Sequence, residues 1–378
     1  MASELTAEDA LAIEQTLQRF LRDRVAPAVE RPELPLGAEG LASLTEDARE
    51  LGLLNLEAEE GVGLWEAPED AVARRLTLLC LRQLAQVSAG VAQHFHQLAL
   101  GAWLARRLGV CDGRAVGYGL LGSFGMGRAL LPRLLRGGEL SPAEHAWLEA
   151  YFEPTEGCPR LLQLGRPVEA VLLARYSAAD RQLSFERFTL EAIDAERVGS
   201  SHGLDETETV VLRALPRPAR PLRAEGDGSG LATYRALLEL ESLGLCAISV
   251  GAQRHSRDKA AEYAELRVQG GVKIVHHPAV QQLLGRTHAA VASGQAQLDG
   301  LCEGALGAGS LVRSLAARAT LLVDGCAAAN DALQVFGGSG YMRDNGIEKL
   351  VRDQNHLRVF WGTPGELGRF ITEMERGA

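Results

Sequence analysis

Apolar residues recur at helical spacing from the beginning of the chain. Leu11, Ile13, Leu17, Phe20, Leu21 and Val25 follow a cap-like Thr6-Ala-Glu-Asp9, and Pro27 stops the pattern. The stripe returns between Leu44 and Leu56, and a long helical pair is expected over about 69–88 and 90–108. Residues 6–146 thus read as helix after helix. From about 147 to 224 the texture changes: 168–176 and 183–190 carry strand-like runs or alternation, and 206–212 is a further candidate. Pro216, Pro218 and Pro221, then Gly226 and Gly228, mark an exit from that region. A proline-free helical pattern then runs from 229 to 271, with further helices expected at about 278–306, 308–336 and 362–376. A four-helix bundle is the natural way for these to bury their apolar stripes. The predicted architecture is mainly α with a small β domain: an N-terminal helical domain (1–146), a shortened middle β domain (147–224) and a C-terminal four-helix bundle (225–378).

Composition narrows the partners. With 378 residues and 46% hydrophobic content, the chain can bury real cores. The 39 basic and 49 acidic residues give a formal charge of −10, so long-range attraction has the wrong sign for nucleic acid or an anionic membrane. The six cysteines are widely spaced, with no C-x-x-C or metal-ligand spacing; they read as reduced, mostly buried thiols in a reducing, cytoplasmic compartment. The acidic N-terminus lacks an apolar signal core, and no uninterrupted apolar run is long enough for a membrane span.

The chemistry concentrates near the end, over 331–366. Gly337 and Gly338 follow an apolar helical run; lacking Cβ atoms, they let a backbone approach a bulky anion, and a helix end adds N–H groups suited to phosphate. With Gln334, Gly340-Tyr341, Ile347-Glu348-Lys349-Leu350, Arg352-Asp353 and Gly362-Thr363, they form an ordered set that resembles the C-terminal flavin motif of the acyl-CoA dehydrogenase family. The helix–sheet–helix order extends the resemblance over nearly the whole chain, strongest after 229. The resemblance implies FAD as cofactor, an acyl-CoA thioester as substrate and α,β-dehydrogenation as the reaction. It also implies a tetramer, homomeric or formed with a paralogous acyl-CoA dehydrogenase, and electron-transfer flavoprotein as an electron acceptor.

One departure bears on the mechanism. Trp361 stands immediately before Gly362-Thr363, where many members of the family carry a catalytic Glu, and an indole has no lone pair for proton abstraction. Other members, acting on branched or longer chains, place the Glu on the first long helix of the C-terminal domain. Glu241 stands 26 residues before Arg267, and that register resembles those members, so the resemblance makes Glu241 the base. The alternative is a solvated helix-face carboxylate beside Glu239. Arg267-Val268-Gln269-Gly270-Gly271 resembles the family's "R-x-x-F-G" segment, which implies that Arg267 and Gln269 contact the flavin pyrophosphate of a neighbouring subunit; the alternative for Arg267 is an ion pair with Glu262 or Glu265. On a straight helix Glu241 and Arg267 lie about 39 Å apart, too far to serve one flavin. The remaining implied cofactor contacts are Gln334, Gly337, Gly338, Gly362 and Thr363.

The middle region departs further. Residues 152–159 resemble the family's "TEPxAGSD", but Phe152 replaces the first hydroxyl residue and Cys158 the Ser, and a flavin-facing hairpin is expected to be missing between Cys158 and Val168. His94-Phe95-His96 and His276-His277 lack carboxylate or Cys partners at ligand spacing and read as core or surface histidines. Gly122–Gly127 has the wrong spacing and flanks for a nicotinamide fingerprint, and no nucleophile elbow occurs. Two functions follow from the resemblance: an acyl-CoA dehydrogenase with Glu241 as base, or a non-catalytic subunit completing a paralogous partner's FAD site.

Overall fold

The computed structural model describes residues 7–34, 36–57, 63–120, 130–198, 201–216, 222 and 229–376. Thr6, Gly122–Gly127 and the Pro218, Pro221, Gly226 and Gly228 markers lie outside them.

The N-terminal helices are α1 (Ala7–Phe20), which continues through a π turn (Leu21–Val25) into the short α2 (Ala26–Ala28), then α3 (Ala38–Glu50), α4 (Ala71–Ala85) and α5 (Ala89–Arg107). Local chemistry sets their starts. Asp70 caps α4 by accepting from Val72 N, and Ser88 caps α5 by accepting from Val91 N. All residues of α5 from Ala89 to Ala105 are buried, so this helix is the hub of the fold.

The helical run does not extend to 146. Strand β1 (Val116–Gly119) precedes α6 (Leu130–Leu135) and α7 (Pro142–Phe152), and it pairs in parallel with β3 (Ala170–Ser177), which pairs antiparallel with β4 (Gln182–Thr189). The chain therefore enters the sheet before residue 147. A second sheet, in the order β2-β6-β5, uses β2 (Arg160–Leu164), β5 (Asp194–Arg197) and β6 (Glu208–Ala214). Strand β2 fills the gap between Cys158 and Val168, which the sequence reading left without a strand, and pairs with β6.

The C-terminal half is built on α8 (Gly230–Leu266), an unbroken helix of 37 residues. A small hairpin, β7 (Val268–Gln269) and β8 (Val272–Lys273), turns the chain into α9 (Pro278–Leu301), and α10 (Ala308–Phe336) returns beside α8. Two helices, α11 (Ile347–Val359) and α12 (Pro364–Glu375), occupy the tail, where one was expected. By length and composition α8 could cross a membrane, but 94% of its apolar window is buried inside the fold. One core cluster joins the N-terminal helices, both sheets and most of the bundle; a smaller one, with Ala260, Ala264, Ala332, Phe336 and Ile347, closes the far end of the bundle.

Candidate functional site

Glu241 is not a solvated helix-face carboxylate. Both it and Glu239 are buried, Glu241 completely, where α8 crosses α5 and β1. His96 Nε2 lies 3.1 Å from Glu241 Oε2, and the Tyr118 hydroxyl donates to the same oxygen. Gln97 Nε2 stands 3.4 Å from both carboxylate oxygens and donates to the Tyr118 oxygen at 2.8 Å.

The imidazole is fixed from its other side. Trp65 Nε1 donates to His96 Nδ1 at 2.9 Å, so the ring proton sits on Nε2 and points to the carboxylate. Gly244, one turn after Glu241, makes room: a Cβ there would lie 2.2 Å from His96 Cε1. Burial, and next the charge of Glu241, raise the Tyr118 phenol well above its ordinary range, so Tyr118 remains a donor.

The counter-charge is Arg318 of α10, also fully buried. Burial lowers its guanidinium to about 10, and Glu241 is the first influence opposing that shift. Arg318 donates to the carbonyl of Phe360, the residue before Trp361. Arg318 thus holds the backbone just before Trp361, while the charge of Glu241 favours its protonated form. Trp361 adopts φ +50°, uncommon for a residue with a Cβ, and its Nε1 is buried without a hydrogen-bond partner. Thr363 caps α12: its hydroxyl donates to Glu366 Oε2 at 2.8 Å and accepts from Glu366 N at 3.4 Å. Gly362 and Thr363 therefore stand near the Arg318 side of the bundle.

The other implied cofactor contacts gather elsewhere. Arg267 caps the C-terminus of α8, and Gln269-Gly270-Gly271 forms the exposed turn of the β7–β8 hairpin. Gln334, Gly337 and Gly338 lie at the C-terminus of α10, which runs parallel to α8. Tyr263 joins the two ends, stacking on Phe336 with centroids 4.1 Å apart and hydrogen-bonding Ser339 at 3.0 Å. Arg267 makes no ion pair among the described residues, because Glu265 pairs with Lys273 at 3.3 Å instead. Gly337 has φ +59°, and nothing lies within 4 Å of a Cβ built on Gly337 or Gly338. A free guanidinium, an exposed amide and an open glycine turn fit an anionic pyrophosphate approaching from outside the chain.

The site residues thus fall into two groups, one around Glu241 and one at the far end of the bundle. The sequence reading missed His96, Gln97, Tyr118, Trp65 and Arg318. Its only signal was a His-Phe-His run within an apolar helix, which carried no indication of a carboxylate partner on α8. Phe152, compared above with a flavin-facing hydroxyl position, packs in the core against Tyr176 and Tyr234.

The fold is helical, then sheet, then helical, with a buried carboxylate on the long bundle helix. Residues 228–373 match the model of the acyl-CoA dehydrogenase C-terminal domain. The chain is 29% identical over 153 residues to cyclohex-1-ene-1-carbonyl-CoA dehydrogenase of Geobacter metallireducens, covering 39% of each protein. It is 31% identical over 183 residues to an acyl-CoA dehydrogenase of Bacillus subtilis, covering 47% of this chain and 46% of that one. These matches span less than half the length of the curated relatives. In fold, it resembles a glutaryl-CoA dehydrogenase from Mycobacterium smegmatis in complex with FADH2, with a TM-score of 0.70 at 17% identity over 100% of this chain and 97% of that one. Residues 228–373 are thus similar in sequence to the C-terminal domain of acyl-CoA dehydrogenases, and the chain shares the fold of such an enzyme along its length.

Proposed function

We propose that this chain is an FAD-dependent acyl-CoA dehydrogenase whose base is Glu241, acting on a branched or otherwise bulky acyl thioester. The observation that carries this reading is the fully buried Glu241 carboxylate on α8, oriented by a histidine of fixed tautomer and balanced by a buried arginine. Bound FAD supplies the acceptor for a hydride from the substrate β-carbon. Glu241 removes the α-proton, for which Oε2 must first give up the Tyr118 or His96 donor. Arg267, Gln269, Gln334, Gly337 and Gly338 hold the pyrophosphate of a neighbour's FAD, while Gly362 and Thr363 serve the chain's own site, in a tetramer that passes electrons to electron-transfer flavoprotein. Six free thiols, four of them buried, support a reducing compartment such as the cytoplasm.

A second reading is a supporting subunit in a heterotetramer, which keeps the bundle-end contacts for a paralogue's FAD but performs no dehydrogenation. The engagement of both Glu241 oxygens by the chain's own side chains, with Trp361 at the other base position, favours it. Purifying the protein alone and measuring bound flavin, then adding a panel of acyl-CoA thioesters with an artificial electron acceptor, separates the two. Bound FAD with turnover supports the dehydrogenase; a colourless protein that gains flavin only with a co-expressed paralogue supports the second reading.

A further inference from the structure

A cavity of about 310 Å³ lies on another face of the molecule, between the segment 26–36, the α4–α5 junction, α8 and the start of α11. None of its lining residues belongs to the Glu241 cluster or to the exposed bundle end. Its floor is ionic. Lys349 Nζ bridges Glu206 Oε2 at 3.2 Å and Asp353 Oδ2 at 2.9 Å, and Asp353 Oδ1 accepts from Leu204 N at 2.7 Å. These carboxylates and this ammonium are therefore committed to one another.

Two groups on the α8 wall are not. His255 and Lys259, one turn apart, both line the cavity. His255 Nδ1 is sealed from solvent without a hydrogen-bond partner. The Lys259 ammonium has no ion pair or hydrogen bond among the described residues, and burial lowers its pKa, with Glu262 opposing. A half-buried cation beside an unpartnered imidazole nitrogen in a cavity of ligand size calls for an anion. The rest of the lining mixes apolar side chains, Val29, Leu36, Val87 and Leu350 among them, with Glu30, Gln86 and Ser88, and the apolar part suits a hydrocarbon chain at the anion's other end. Arg31, also in the lining, pairs with Glu33 at 2.8 Å and adds no free charge.

We propose that this cavity is a second ligand site, binding a free carboxylic acid of medium chain length, with its carboxylate on Lys259 and His255 and its chain against Val29, Val87 and Leu350. At about 30 Å³ per water, the cavity has room for about ten waters, which suits a chain of this class.

Titration of the whole protein with [1-¹³C]octanoate, followed by the carboxyl resonance, tests it. The expected result is saturable binding at one site per chain, weakened about tenfold or more in Lys259→Met, with much of the loss recovered in Lys259→Arg. Inorganic phosphate at equal concentration should leave the bound resonance in place, because it lacks a chain. No saturable binding, or affinity unchanged in Lys259→Met, overturns the assignment; octanoate held only in the acyl-thioester site gives the second pattern. Displacement by phosphate overturns the assignment to a carboxylic acid with a chain. The Lys259 ammonium has no ion pair or hydrogen bond to lose among the described residues, so circular dichroism of both variants should match the wild type.

Discussion

His96 and Glu241 stand 145 positions apart, and their Nε2 and Oε2 atoms meet at 3.1 Å in a fully buried contact. The contact has a direction, because Trp65 occupies Nδ1 and commits the ring proton to the carboxylate. A carboxylate with no solvent access depends on such donors, since an unpaired charge in that position would be strongly destabilising.

Trp65→Phe should therefore affect more than packing. It removes the donor to Nδ1, orphans that nitrogen and frees the imidazole to change tautomer. Urea unfolding should report a loss of about 1–3 kcal/mol. His96→Gln, whose amide can still donate to Glu241, should lose less than His96→Ala.

Gly244→Ala tests the same contact from α8. The added methyl lies 2.2 Å from the His96 ring, so His96 or the helix must move. A loss of about 1–3 kcal/mol is expected in the same unfolding assay, although alanine is the better helix former.

Glu239, two residues before Glu241, gives a pH signature. Burial raises its carboxyl from 4.5 to about 7, against the Ser310 hydroxyl and the Gly307 backbone. A raised folded pKa means that the folded state favours the proton. The associated stability is fully present below about pH 4.5 and is lost as pH rises through about 7. Glu239→Gln should accordingly gain on the wild type as pH goes from 5 to 8, by an amount approaching 3 kcal/mol (roughly) at the upper end. Equal pH profiles for the two proteins would remove this assignment.

The bundle end should behave differently. Arg267 is exposed, and its guanidinium has no ion-pair partner among the described residues, so Arg267→Ala should change unfolding free energy by no more than about 0.5 kcal/mol. Under the proposed role it should still weaken flavin retention in the assembled protein by about tenfold or more. Flavin content after gel filtration, set beside the unfolding curve, measures both.

The helices were legible because their apolar stripes repeat at the helical period; α10 begins and ends where that pattern does, and α8 does so within a few residues. Strand β1 was not. Its Val-Gly-Tyr-Gly has little strand preference of its own, and its extended form depends on parallel pairing with β3 some fifty residues later. Helix α12 was expected, over 362–376, and Thr363 caps it, but α11 over Ile347–Val359 was not. For the site, the register before Arg267 pointed to Glu241, but its burial and its partners could not be read. His96, Gln97 and Tyr118 come from α5 and β1, and only the packing of α5 and β1 against α8 brings them to one carboxylate.

The most direct measurement is anaerobic mixing of the purified protein with an acyl-CoA thioester while following the flavin's visible absorbance, in the wild type and in Glu241→Gln. The proposed role predicts that both proteins carry FAD, that the wild-type flavin is bleached and that the variant's stays oxidised. A chain that carries no flavin of its own, or a variant reduced as fast as the wild type, would contradict it.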